Sequence, residues 1–277
     1  MTKTFSVLFL LVGIALPTFV AAALPETEEA VADWFEERGA RISRSEDGKA
    51  VKLFHNGNPE FSVEELALIG KLAHLEELAL NAAKAGNGEW DFLRQLPNLK
   101  TLRIWHGHHF SNLESFAGIA AEDVLIGGCM GLRDLNRENP EALRDAVLTL
   151  RDLPNLKKLS LYHSPLTPDD SHLAHIVKEF PNLVELRVDF AAPRGQEIKI
   201  TPEGLAALAA LKLTRLALER AEELTSAHLA ALAKTETLET LHIYPPRDGE
   251  IDYEPLLAEF RKLRPEVEIT FQKKPGS

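Results

Sequence analysis

The sequence predicts an α/β solenoid: a curved right-handed superhelix with a parallel concave sheet of about nine strands and helices on the convex side. Three observations carry this expectation. A segment reading Leu-x-x-Leu-x-Leu, or a worn version of it, occurs nine times, most clearly at Leu75-Leu78-Leu80, Leu99-Leu102-Ile104, Leu156-Leu159-Leu161, Leu183-Leu186-Val188, Leu213-Leu216-Leu218 and Leu238-Leu241-Ile243. About 22 to 33 mostly helix-like residues lie between copies, a period typical of stacked strand-plus-helix units. The tripeptide Pro-Asn-Leu also recurs at the same repeat position, at Pro97, Pro154 and Pro181. There Pro ends the helix, because the residue before it disfavours αR, Asn makes the turn and Leu starts the strand.

Residues 1–23 open with Met1-Thr2-Lys3, run apolar from Phe5 to Val20 and close on Ala21-Ala22-Ala23. A positive start, an apolar centre and a small-residue end predict a secretory signal peptide cleaved near Ala23, and with it a secreted or periplasmic protein. The run is too short for the roughly 20 residues that span a bilayer, and no stable membrane insertion is expected after cleavage.

Residues 24–47 form an N-terminal helical cap in this reading, with a helix from Glu28 to Arg38 anchored by Trp34 and Phe35 and ended by Gly39. The solenoid then covers 48–271. Its first strand, Val51-Lys52-Leu53, is weak and followed by Asn56. The helical stretch Phe61–Leu72 has Ser62 as N-cap with Glu65 three residues on. A short helix runs from Trp90 to Leu96. Gly118 to Leu135 is least regular, with a strand at Val124-Leu125-Ile126 beside Gly127, Gly128 and Gly131. A helix from Pro140 to Leu153 follows. Thr167-Pro168, Thr201-Pro202 and Thr225-Ser226 open the next three helices, Thr capping and Pro fitting the first turn. The last helix is Tyr253–Leu263, the last strand Val267-Glu268-Ile269, and 272–277 is a polar tail.

The formal charge of -11 argues against a nucleic-acid or anionic-membrane binder, since both need a basic face. The single cysteine, Cys129, excludes an intramolecular disulfide, so repeat packing must supply the stability. Neither Cys-rich caps nor Asn-x-Ser/Thr acceptors occur, which leans toward a bacterial exported protein.

The leucine spacing, the Pro-Asn-Leu hinges and the phrase Leu224-Thr225 … Leu229-Ala230-Ala231-Leu232 resemble the leucine-rich repeat family, in the helix-bearing, ribonuclease-inhibitor-like type of bacterial exported proteins. The resemblance implies that Asn56 satisfies backbone groups at the bend leaving its strand. It also implies a non-catalytic binding protein that recognises a macromolecule, protein or surface polysaccharide, on its concave face, without a cofactor or bound metal.

Alternation along the strands places one concave column through Lys52, Ala79, Arg103, Leu125, Ser160, Arg187, Ala217, His242 and Glu268. The next column runs through Phe54, Asn81, Trp105, Gly127, Tyr162, Asp189, Glu219, Tyr244 and Thr270. From these, Arg103, Trp105, Tyr162, Arg187, Asp189, His242 and Tyr244 are the candidate ligand-binding residues, since Trp, Tyr and Arg dominate interface hot spots. The run Trp105 to Phe110 contains the only dense histidine group, His106, His108 and His109, with His163 available two repeats on. It offers an alternative, a metal-dependent hydrolase using the His106–His109 cluster, but adjacent loop histidines point apart and no His-Glu-x-x-His spacing is present. A second alternative is a structural envelope scaffold with no specific ligand. His172 and His175, with Asp169, read as a solvated helix face, and Glu219 to Glu223 as a solvated loop. No catalytic residue is assigned: there is no Gly-x-Ser-x-Gly elbow, and the glycines around Cys129 lack the Lys-Ser/Thr of a phosphate loop.

Overall fold

The computed structural model describes residues 24–58, 60–82, 88–107, 110, 112–127, 146–162, 169–190, 200–221, 223–244 and 252–271. The backbone of Tyr162 is included and its side chain is not. The expected signal peptide, the polar tail, Cys129, His108, His109, His163, Thr167-Pro168 and the start of the Pro140 helix lie outside these residues.

One ten-stranded sheet runs through the molecule in unbroken chain order. The strands are β1 (Arg41–Arg44), β2 (Ala50–His55), β3 (Glu77–Asn81), β4 (Thr101–Trp105), β5 (Asp123–Gly127), β6 (Lys158–Tyr162), β7 (Glu185–Asp189), β8 (Arg215–Glu219), β9 (Thr240–Tyr244) and β10 (Glu268–Phe271). From β2 to β10 every neighbour pair is parallel, which gives the nine strands expected from the leucine pattern. β1 is an addition: it pairs antiparallel with β2 through a short turn and lies over the first edge of the stack. The sequence gives no leucine signal for it, because Arg41-Ile42-Ser43-Arg44 buries little.

The architecture is a leucine-rich repeat solenoid. The described crossover segments pack against one another in chain order on one side of the sheet, and helices are wider than the ~4.8 Å between strands, so the sheet curves inward. The register explains the leucines. Leu53, Leu78, Leu102, Val124, Leu159, Leu186, Leu216, Leu241 and Ile269 lie abreast, and Leu80, Ile104, Ile126, Leu161, Val188, Leu218 and Ile243 form a second row two residues on. All but Ile269 are buried. The second row begins at His55, a buried imidazole stacked on Phe61 at 4.0 Å between centroids.

The convex layer changes along the chain. α1 (Glu28–Glu37) is capped by Thr27 and buries Val31, Ala32 and Phe35. α2 (Val63–Ala67) carries the capping box expected of Ser62 and Glu65, then tightens into a 3-10 turn at Leu68–Lys71. Among the described residues the next crossovers hold 3-10 segments, Gly88–Gln95 and Glu114–Phe116, where a short helix was expected at Trp90–Leu96. A 3-10 turn covers more length per residue than an α-helix, which suits these short repeats. Trp90, Phe92, Phe110 and Phe116 fill the space that helix leucines fill elsewhere. The described end of the Pro140 segment is a 3-10 turn at Val147–Thr149, so the helix does not reach Leu153. Instead Asp152 adopts a φ of 55° and its carbonyl accepts from Gly118 N–H at 2.7 Å.

Full α-helices occupy the second half: α3 (Asp170–Glu179), α4 (Pro202–Ala207), α5 (Ser226–Leu232) and α6 (Glu254–Leu263). Thr201 and Thr225 cap α4 and α5 as expected, whereas α3 is capped by the Asp169 side chain. Neighbouring helix starts are also tied together. Asp170 accepts from Thr201 N–H and Oγ1–H, both at 2.7 Å. The hinge asparagines do more than turn the chain: Asn98 donates to Ala73 O at 2.9 Å and Asn155 to Ala120 O at 3.2 Å, each across to the preceding repeat. At the bend after β2, Asn56 accepts from Asn58 N–H at 3.1 Å.

Candidate binding face

Along β3, β4, β5, β7 and β9 the buried leucine positions alternate with half-buried or exposed ones, so every second side chain faces the concave side. The register corrects the expected columns at both ends. Phe54, not Lys52, stands beside Ala79, and Thr270, not Glu268, stands beside His242. A slip of two residues keeps every side chain on its face, so alternation alone could not exclude it. The central column therefore runs Arg41, Phe54, Ala79, Arg103, Leu125, Ser160, Arg187, Ala217, His242, Thr270.

Lys52 and Glu268 belong to a third column absent from the sequence reading, which also holds Glu77, Thr101, Asp123, Lys158, Glu185, Arg215 and Thr240. Its charges pair across strands: Lys52–Glu77 at 2.6 Å, Lys158–Glu185 at 2.8 Å and Arg215–Glu185 at 3.7 Å. One residue earlier, Glu76–Lys100 and Glu122–Lys157 pair at 2.9 and 2.7 Å, the second across 35 residues of chain, the longest repeat step. Exposed pairs of this kind contribute only about 0–1 kcal/mol each, so they favour register more than stability.

The candidate residues fall into two groups. In the N-terminal group, Arg41 lays its guanidinium over the Phe54 ring at 4.3 Å, and Phe54 meets Trp105 at 5.8 Å and 63°. Arg103 beside them reaches Asp123 at 3.4 Å. Burial pushes the Asp123 carboxyl up, against the pull of Arg103 and Lys158. In the C-terminal group, Arg187 lies over Tyr244 at 4.6 Å while its Nε donates to Glu219 at 2.7 Å. His242 sits beside them with Thr270 at its Nδ1. Burial, then the nearby Arg215 charge, holds the His242 imidazole below its usual range.

Asp189 is 2% exposed and Glu219 is 4% exposed. Asp189 binds Arg220 at 2.6 Å, so its carboxylate positions a neighbour and is not presented at the surface. The stretch Glu219 to Glu223 is accordingly not a wholly solvated loop: Glu219 and Ala221 are buried, and Arg220 takes a φ of 52° that accompanies its return to Asp189. His106, at the equivalent position after β4, has a φ of 58° and its N–H donates to Gly127 O at 3.0 Å.

The α3 histidines are also not a solvated face. His172 is fully buried and its ring N–H meets Asp169 at 2.7 Å, while His175 donates to Leu150 O at 2.8 Å in the preceding repeat. The sequence signal for this was Asp169 itself, at the spacing that lets a helix-start carboxylate reach the residue three on. Among the described residues no group of three or more His, Cys, Asp or Glu side chains is placed to hold a metal ion.

No protein-family model and no curated protein matches this chain. Among solved structures, the leucine-rich repeat-containing protein LegL7 from Legionella pneumophila is similar at 14% identity, over 82% of this chain and 85% of that one, with a TM-score of 0.49. The repeat geometry described above stands independently of that likeness.

Proposed function

We propose that this chain is an exported, non-catalytic binding protein whose concave face recognises a protein partner. The observation that carries the reading is the pairing of guanidinium with aromatic ring at both ends of one face, Arg41 on Phe54 beside Trp105, and Arg187 on Tyr244. Arg, Trp and Tyr are the side chains most enriched in interface hot spots, and here their rotamers are held before any partner arrives. A non-catalytic role is supported by the occupation of four described titratable side chains in structural bonds: His172 with Asp169, His175 with Leu150, His228 with Ile200 and Glu219 with Arg187. The net charge of -11 speaks against nucleic acid as the partner. No helix among the described residues is long and apolar enough to cross a membrane.

The test compares the mature chain with a Trp105→Ala, Tyr244→Ala double variant in affinity capture from exported material. A defined partner held by the first and absent from the second supports the reading; an identical set on both refutes it. Export has its own measurement, N-terminal sequencing of the accumulated protein. A start at Leu24 supports cleavage near Ala23, and a retained Met1 excludes it.

A further inference from the structure

We infer that the first four strands of the concave face form an anchor site for a protein segment that is both apolar and acidic. This rests on the concave face being a protein-binding surface. The register sets Arg41, Phe54, Ala79 and Arg103 abreast on β1 to β4, with Trp105 two residues beyond Arg103. Ala79 is the small member of that row. Its methyl leaves room for Phe54 and Trp105 to lean together across the intervening strand, to 5.8 Å between ring centroids. The result is a half-buried apolar platform with an arginine on either side.

The two arginines set the chemistry of the guest. Arg41 is exposed and has no carboxylate partner among the described residues; its guanidinium lies over the Phe54 ring, 4.3 Å from the centroid. A guanidinium placed over a ring face by a cation–π contact keeps N–H donors available to a carboxylate. Arg103 is 44% exposed at the side chain and holds Asp123 only at 3.4 Å, which leaves most of its donors open. Across β1 to β4 and the adjoining start of β5, Arg41, Lys52 and Arg103 face the two carboxylates Glu77 and Asp123. The patch is therefore locally positive on a chain of net charge -11. With a Debye length of ~8 Å at physiological salt, the near charges outweigh the distant ones for a docked segment. A cationic guest is disfavoured because Arg41 already occupies the Phe54 face. A neutral sugar is disfavoured because ring stacking needs open aromatic faces, and here one carries a guanidinium and the rings meet each other.

The experiment pans a surface-display library of random dodecapeptides on the chain from Leu24 to Ser277, then measures synthetic hits by fluorescence anisotropy. The expected hits combine Leu, Phe or Trp with Asp or Glu within a few residues. Their affinity should fall about tenfold or more in Arg41→Glu with Arg103→Glu, exposed sites where folding is retained, and in Trp105→Ala. It should also weaken as salt rises. Hits without acidic residues, or hits indifferent to the charge reversal, overturn the anchor site. Displacement of the hits by polygalacturonate at equal carboxylate concentration overturns the assignment to a protein segment. Loss of binding only in Arg187→Glu with Tyr244→Ala refutes this site yet keeps the concave-face reading. Indifference to both pairs of substitutions refutes both.

Discussion

Replacing Arg264 by Ala should loosen the C-terminal repeats selectively. Arg264 follows α6, and its side chain is 10% exposed. It donates to four backbone carbonyls of the preceding repeat: Ala233 at 3.2 Å, Thr235 at 2.6 Å, Glu236 at 3.0 Å and Leu238 at 3.1 Å. The chain turns from α5 into β9 there; Thr235 O also accepts from Leu238 N–H at 3.0 Å, so Leu238 O is the buried acceptor that depends on Arg264. The Thr235 and Leu238 bonds are buried, and the other two are partly buried. A buried acceptor left unsatisfied costs about 1–3 kcal/mol, while water can reach the partly buried pair once the side chain is gone. Removing a desolvated cation returns part of the loss, which leaves about 1–3 kcal/mol net. For a chain of this size that corresponds to a fall in Tm of about 5 °C if unfolding is cooperative. A repeat array can instead fray from one end. Hydrogen exchange therefore reads the effect better than Tm alone: amides of β9 and β10 should lose protection while those of β3 and β4 keep theirs. Arg264→Lys should recover only a fraction, because a point charge cannot serve four carbonyls in one plane. Unchanged exchange in β9 and β10 of Arg264→Ala would refute the reasoning.

Other perturbations test different parts of the stack. Gly204→Ala should destabilise by about 1–2 kcal/mol, although Gly to Ala inside a helix usually stabilises. The new Cβ would overlap the Asp170 carboxylate and break its bonds to Thr201, and a raised Tm would disprove this. Leu186→Ala, at 2% exposure in the centre of the leucine row, should cost about 2–5 kcal/mol by denaturant unfolding, and a loss under 1 kcal/mol would contradict the wedge role. Burial pushes the Asp169 carboxyl up, but hydrogen bonds from Ser171 and His172 outweigh it and hold the carboxyl below its ordinary range. Its stabilising contribution is thus present above the unfolded value of about 3.9 and is lost as pH falls through the folded one. Asp169→Asn should flatten that acid limb, and identical acid unfolding profiles would remove Asp169 from the account. His242 has the opposite chemistry with a similar slope: its imidazole is held low, so stability rises as pH rises from the folded value to about 6.5. His242→Gln should abolish that rise in a pH series of thermal melts.

The nine parallel strands, their leucine rows and the capping of α2, α4 and α5 were legible in the amino-acid order because each is a local pattern. Period-2 alternation, the Pro-Asn-Leu hinge and a Ser or Thr before an apolar run need only a few neighbouring residues to be recognised. The solenoid follows from them by repetition, since a repeat that cannot bury its own leucines must stack.

Cross-strand register is a different kind of quantity. A two-residue slip preserves the face of every side chain, so only the hydrogen-bonded ladder could place Phe54 beside Ala79 or reveal the charged column of Lys52, Glu77 and Glu185. The same holds for β1, for the burial of Asp189 and Glu219 under arginines, and for the buried His172. β1 depends on a pairing with the next strand that buries little, and the others on a partner about 25 to 35 positions away or on the burial such partners create; polarity in the chain order carries no record of either. Sequence alone thus determined which way the strand side chains face; the stacked structure decided which side chains face each other.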